Sequence, residues 1–286
     1  MTPRMRCDCH VHIVGPADRY PQVAGRTYLA DVATLRQLEA ASAARAVRRF
    51  VIVQPSFYGT DNTAVLEGLA ALKGRGRGVA VVNPGTISAR ALAAYAEQGV
   101  RGVRLNLYSP LRETAPLAQR FAAVVEVARG LDWHIEVIAP LKMLAENATL
   151  LAKSPVPVVI DHYGLYAGFQ PEHREGRALL EMVAMRHVWI KLSAPYRVSV
   201  DALATRPDAW WLSAILKAAA DRCVWGSDWP HTPPHDQHAG SAVISPYRSL
   251  RYATLVDDFI ATIGSADLAE QILSENPARL YGFESQ

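Results

Sequence analysis

The chain has 286 residues, half of them hydrophobic and 20% charged, with a formal net charge of +3 and a pI near 8.8. This composition supplies a large core and excludes a disordered chain, and the length suits a single α/β barrel domain spanning 1–286. Scattered basic residues exclude a nucleic-acid tail, and no run reaches the ~20 apolar residues of a membrane span, so neither a nucleic acid nor a membrane is an expected partner.

Short apolar runs alternate with Ala/Leu-rich stretches along the whole chain. Strands are expected at 6–12, 49–54, 78–83, 102–107, 133–138, 157–162, 188–193 and 223–228. Helices are expected near 31–45, 62–73, 88–98, 115–129, 140–152, 172–186 and 199–220, with two more near 248–263 and 267–281. Gly99, Gly130 and Gly264 read as helix stops. Eight strand–helix units imply parallel strands closed into a (β/α)₈ barrel, with an open doubly wound sheet as the rival. Long loops at Gly15–Ala30 and Pro230–Tyr247 would cover the C-terminal mouth.

The chemistry begins on the first strand, in Asp8-Cys9-His10-Val11-His12. Alternate residues of a strand share a face, so His10 and His12 converge, and Cys7 and Cys9 are expected on the opposite face as buried packing. Three cysteines, counting Cys223, suit neither a disulfide framework nor a zinc finger. With no apolar signal core at the N-terminus, the expected compartment is the cytoplasm.

His162 closes the sixth strand, where a polar residue ending an apolar run needs a partner or a function. Asp228 closes the eighth, in Trp225-Gly226-Ser227-Asp228-Trp229-Pro230-His231. Alone it reads as a turn aspartate before Pro230, but barrel closure places it beside His10 and His12, where it can act as a general base. Arg104 shares the inward face of the fourth strand with Asn106, and an arginine in a barrel mouth needs an anion. For Arg197 a structural ion pair and an anion site are equally good readings. Trp210 and Trp211 suit either the core or an interface, so a homo-oligomer is compatible with the chain.

His-x-His on the first strand, His162, Gly-Ser-Asp-Trp-Pro-His at 226–231 and Asn-Pro-Ala-Arg-Leu-Tyr at 276–281 together resemble the amidohydrolase superfamily. Residues 54–62, the segment Gly102-Val103-Arg104-Leu105-Asn106 and Lys191-Leu192-Ser193 with Arg197 are similar to its branch containing 2-pyrone-4,6-dicarboxylate lactonase and galactarolactone isomerase. The resemblance spans essentially the whole chain. It implies a (β/α)₈ barrel that opens a carboxylated lactone in aromatic or sugar-acid catabolism. Asp228 would activate water, while His10, His12 and His162 would polarise the ring carbonyl. Arg104, Arg197, Ser56, Tyr28 and Tyr163 would bind the substrate.

The resembling lactonases are expected to need no cofactor, and this chain lacks the strand-five histidine of metal-dependent members. That strand ends Val137-Ile138-Ala139-Pro140. Its histidine, His134, begins the strand, roughly 16 Å below the rim at ~3.3 Å per residue and too far for a ~2 Å Zn–N bond. Glu136 shares that face but also lies deep. If one Zn²⁺ is bound, His10, His12, His162 and Asp228 are its ligands. Two departures bear on the substrate: Arg112 is out of register with the branch's second strand-four arginine, and Ala139 stands where a tyrosine is expected. The alternatives are a sugar-acid lactone isomerase, a zinc-dependent decarboxylase or hydratase, and a non-catalytic ligand-binding barrel.

Overall fold

The computed structural model describes residues 5–108, 115–233 and 243–284. Its centre is an eight-stranded parallel sheet. In spatial order the strands are β1 (Arg6–Val11), β3 (Val47–Val53), β4 (Gly76–Ala80), β5 (Val100–Asn106), β6 (His134–Ile138), β7 (Val158–Ile160), β8 (Val188–Ser193) and β9 (Cys223–Gly226). The ends meet: His10 O accepts from Asp228 N at 2.9 Å, His12 N donates to Trp229 O at 2.8 Å, and Val11 bridges Trp229 in parallel. This is the expected (β/α)₈ barrel, and it rules out the doubly wound sheet.

The expected strands recur with boundaries shifted by a few residues, and that at 188–193 matches in full. The helices carry readable caps. Thr34 and Gln37 form a capping box on α1 (Leu35–Ser42), Ser88 caps α3 (Ala89–Glu97), and Gly264 ends α9 (Tyr252–Ile263) in the left-handed region. Two expectations change. The helix near 140–152 is two pieces, α5 (Leu141–Glu146) and α6 (Ala148–Ala152), divided at Asn147, whose side chain bonds back to Met143 O at 2.9 Å. The helix near 199–220 starts only at Ala209, where Asp208 accepts from Trp211 N; it is α8 (Ala209–Ala219). Trp211 is buried, stacked on Tyr166, while Trp210 is 60% exposed.

The core has an inner and an outer layer. Phe50 and Ile52 of β3 pack outward with Leu38, Val65 and Leu69 of the helices. The alternate residues Val51 and Val53 pack inward with Val79, Val159 and Val224 over Tyr281 and Phe283. Each such side chain contributes about 1.5–3 kcal/mol on burial.

Cys7 and Cys9 join this inner cluster, which corrects the expected facing of β1. Between Asp8 and Val11 the strand advances three residues while β3 advances two, from Phe50 to Ile52. That extra residue is a β-bulge at Cys9-His10, and it lets Cys9, His10 and His12 all face the barrel interior.

The two long loops are joined to each other. β2 (Leu29–Ala30) in the first pairs in parallel with β10 (Ile244–Ser245) in the second. No helix among the described residues is long and apolar enough to cross a membrane.

Candidate active site

Every charged group of the site comes from a barrel strand or the residues just after it. His10 and His12 come from the bulged β1, Arg104 from β5, Glu136 from β6, Asp161 and His162 from the end of β7, Lys191 and Ser193 from β8, and Asp228 from the turn after β9. His162 and Asp228 sit at φ +49° and +59°, a left-handed backbone uncommon outside glycine. The turn at His162 brings consecutive residues Asp161 and His162 into one site, which strict alternation along a strand does not allow.

Asp228 is the focus. Its Oδ2 accepts from Tyr196 Oη at 2.7 Å and from Arg197 Nε at 2.8 Å. Its Oδ1 faces His10 Nε2 at 3.6 Å, His12 Nε2 at 3.6 Å and His162 Nε2 at 3.9 Å. Burial alone would raise the Asp228 carboxyl, but the Arg197 guanidinium and the His162 ring hold it well below the usual carboxylate range. Burial lowers His162 to about 4 and drives His10 well below an ordinary histidine, the latter assisted by Lys191. At neutral pH the site therefore presents a carboxylate to the neutral imidazoles of His10 and His162.

Each imidazole is oriented through its other nitrogen. His12 Nδ1 lies 2.7 Å from Val53 O and therefore donates to it, which fixes the ring with Nε2 toward Asp228. His162 Nδ1 pairs with Ser193 Oγ at 2.9 Å, and His10 Nδ1 with Lys191 Nζ at 3.1 Å.

Beneath the histidines lies a charged layer. Lys191, fully buried, is paired with Glu136 and lies 3.4 Å from Asp161 Oδ1. Arg104 donates to Gln54 O at 2.9 Å and contacts Asp161 Oδ2 at 3.4 Å. Burial and the neighbouring Asp161 push Glu136 up to about 7 against the pull of Lys191.

A small cavity above Asp228 is lined by His12, Tyr28, Ser56, Arg104, His162 and Arg197, with Thr232. The expected residues thus converge, with three exceptions, the first being His10, which faces Asp228 but is fully buried and does not line the cavity. Tyr163 sits in the outer hydrophobic core beside Tyr166, because the left-handed turn at 162–163 sends its ring toward the helices. Arg197 reaches the cavity but is bound to Asp228, and its Nη2 donates to Thr232 Oγ1 at 2.6 Å. Of its two readings, the ion pair is the one present. Arg112 lies outside the described residues.

Lys191, Glu136, Asp161 and Tyr196 had no role in the sequence reading. The signal was available for Lys191 and Glu136, since a charge inside an apolar strand must be paired. Among the described residues, two groups have ligand atoms close enough to hold a metal ion: His10, His12 and Asp228, and His10, Asp161 and His162.

A parallel barrel with a carboxylate facing a histidine cluster at its C-terminal rim defines a hydrolase-type site. The amidohydrolase family model of the Amidohydro_2 type matches residues 7–283, and the chain belongs to that family. A 2-pyrone-4,6-dicarboxylate hydrolase of Comamonas testosteroni is 30% identical over 98% of this chain and 90% of its own. A 4-sulfomuconolactone hydrolase of Rhizobium radiobacter is 27% identical over 98% and 91%. Among solved structures, a probable 2-pyrone-4,6-dicarboxylic acid hydrolase from Acinetobacter baumannii with citric acid bound superposes with a TM-score of 0.80. It is 27% identical over 97% of this chain and 99% of that one.

Proposed function

We propose that the chain hydrolyses a carboxylated lactone and needs no metal ion to do so. The observation that carries this reading is the division of labour on Asp228: Oδ2 is held by Arg197 and Tyr196, while Oδ1 faces three imidazole nitrogens. A water seated between Oδ1 and the ring carbonyl loses a proton to Asp228 as its oxygen bonds the carbonyl carbon. His10 and His162 stabilise the charge developing on the carbonyl oxygen. Collapse breaks the ring C–O bond, and the proton held by Asp228 passes to the departing oxygen. The product is the ring-opened acid.

Arg104 lines the cavity and touches Asp161 at 3.4 Å, a longer contact than the 2.8 Å pairing of Arg197 with Asp228, and it is the cation assigned here to a substrate carboxylate. Ser56 and Tyr28 line the same cavity as hydrogen-bonding groups. The relatives' substrates, a pyrone dicarboxylate and a sulfonated lactone, are acidic lactones that fit this reading.

Two features support metal independence. β6 ends at Ile138 and is followed by Ala139, with no ligand at the rim. The second nitrogen of His10 is engaged by a buried ammonium, which does not suit a neutral metal ligand.

The test is incubation with 2-pyrone-4,6-dicarboxylate, 4-sulfomuconolactone and sugar-acid lactones, followed by product NMR. A ring-opened acid with one new carboxylate is expected. A rearranged lactone with no new acid group would replace hydrolysis by isomerisation, and loss of CO₂ would replace it by decarboxylation.

A further inference from the structure

Lys191 is the one charged residue in the barrel strand Val188–Ser193, and it is fully buried. Its ammonium meets three partners: the Glu136 carboxylate, Asp161 Oδ1 at 3.4 Å and His10 Nδ1 at 3.1 Å. Two carboxylates account for its charge. They do not account for its placement against an imidazole nitrogen.

An ammonium has hydrogens and no lone pair, so a contact of 3.1 Å between Lys191 Nζ and His10 Nδ1 is a hydrogen bond only if Nδ1 accepts. A neutral imidazole that accepts at Nδ1 carries its hydrogen on Nε2. In His10 that atom faces Asp228 Oδ1 at 3.6 Å and, in the proposed reaction, the substrate oxygen. The rival state places the hydrogen on Nδ1 and donates it to Asp161 Oδ1, 3.3 Å away. It would point an N–H at the ammonium and leave a lone pair on Nε2, the arrangement a metal ligand needs.

We propose that Lys191 is a positioning residue that fixes His10 as the Nε2–H tautomer, making it a hydrogen-bond donor to the substrate and withdrawing it from metal binding. The functional half of this inference rests on the lactonase reading; the tautomer does not. Gly226 reinforces the arrangement from the other side, because a Cβ there would lie 2.7 Å from His10 Cβ and 2.9 Å from its backbone nitrogen. The His10 backbone and Cβ are thus packed closely against β9 where only glycine fits, while an ammonium meets the ring at Nδ1.

The test is ¹⁵N NMR of histidine-labelled protein, with His10 assigned by its absence in His10→Gln. The wild type should show a protonated Nε2 and a bare Nδ1. In the charge-balanced pair Lys191→Met with Glu136→Gln, the hydrogen should move to Nδ1 and be donated to Asp161. Zn²⁺ affinity by titration calorimetry should rise at least about tenfold, the scale on which groups behind a metal ligand act. Lactone kcat should fall about 10²–10³-fold with KM nearly unchanged, the usual loss for one oxyanion donor. A wild-type spectrum with the hydrogen on Nδ1 overturns the inference, and so does a tautomer unchanged in the pair variant. If the pair variant does not fold, the wild-type spectrum decides alone. An Nε2–H tautomer in a protein that opens no lactone would count against the proposed reaction and leave the role of Lys191 standing.

Discussion

Arg197 donates from Nε to Oδ2 of Asp228 across 2.8 Å, and so turns the other carboxylate oxygen, Oδ1, toward the three histidines. This pairing keeps a fully buried aspartate ionised at neutral pH, because burial alone would raise its pKa and the guanidinium reverses that.

Arg197→Met should therefore move the acid limb of the kcat/KM profile upward. With the cation gone, burial raises the Asp228 pKa, and activity is lost as pH falls through that higher value. Asp228→Asn removes the base itself and should cost about 10²–10⁴-fold in kcat at every pH. A pH–rate profile of Arg197→Met that overlays the wild type would detach Arg197 from the base.

A second expectation concerns His162, lowered by burial from an ordinary histidine value to about 4. It stays neutral until the pH falls to that region, so no loss of activity is expected near pH 6.5. Glu136, pushed up to about 7, also titrates near there. An inflection that vanishes in Glu136→Gln belongs to that group. One near 6.5 that survives there but vanishes in His162→Gln contradicts a neutral His162.

Gly226→Ala tests the close packing of His10 against β9. The added Cβ collides with backbone and Cβ atoms rather than with a flexible side-chain tip, so His10 must shift. A displacement of about 1 Å in a catalytic group can cost about 10²-fold. The expected result is a loss of that order in kcat in a protein that remains folded by circular dichroism; wild-type turnover would show that His10 tolerates displacement.

Stability is anchored elsewhere. Asn276, buried at the start of α11 (Asn276–Tyr281), donates through Nδ2 to Cys223 O at 2.7 Å and Ala220 O at 2.9 Å. Asn276→Ala leaves two backbone carbonyls without that donor and should cost about 2–6 kcal/mol in denaturant unfolding, at roughly 1–3 kcal/mol for each unsatisfied group. Activity per folded molecule should not change, since Asn276 lies away from the rim.

The barrel was legible because the alternation of strand and helix is regular and caps such as Thr34 and Ser88 are written locally. The histidines and Asp228 were legible because polar residues closing apolar strands stand out. The bulge at Cys9-His10 was not, since nothing local announces an extra residue that exists only relative to β3. Nor was the fate of Tyr163, which follows from left-handed backbone at 162–163 in residues whose side chains do not demand it. Lys191 and Glu136 were visible as charges in apolar strands, but their pairing needed the barrel register that sets β6, β7 and β8 side by side.

The proposed function stands or falls on ring opening by Asp228 and the histidines alone. Its most direct test is proton release, followed with a pH indicator, from chelator-treated protein given 2-pyrone-4,6-dicarboxylate and other acidic lactones, with Asp228→Asn as control. Release is expected at the same rate before and after chelation, unchanged by added Zn²⁺ and slowed about 10²–10⁴-fold in Asp228→Asn. Release that is lost on chelation and restored by Zn²⁺ would contradict it.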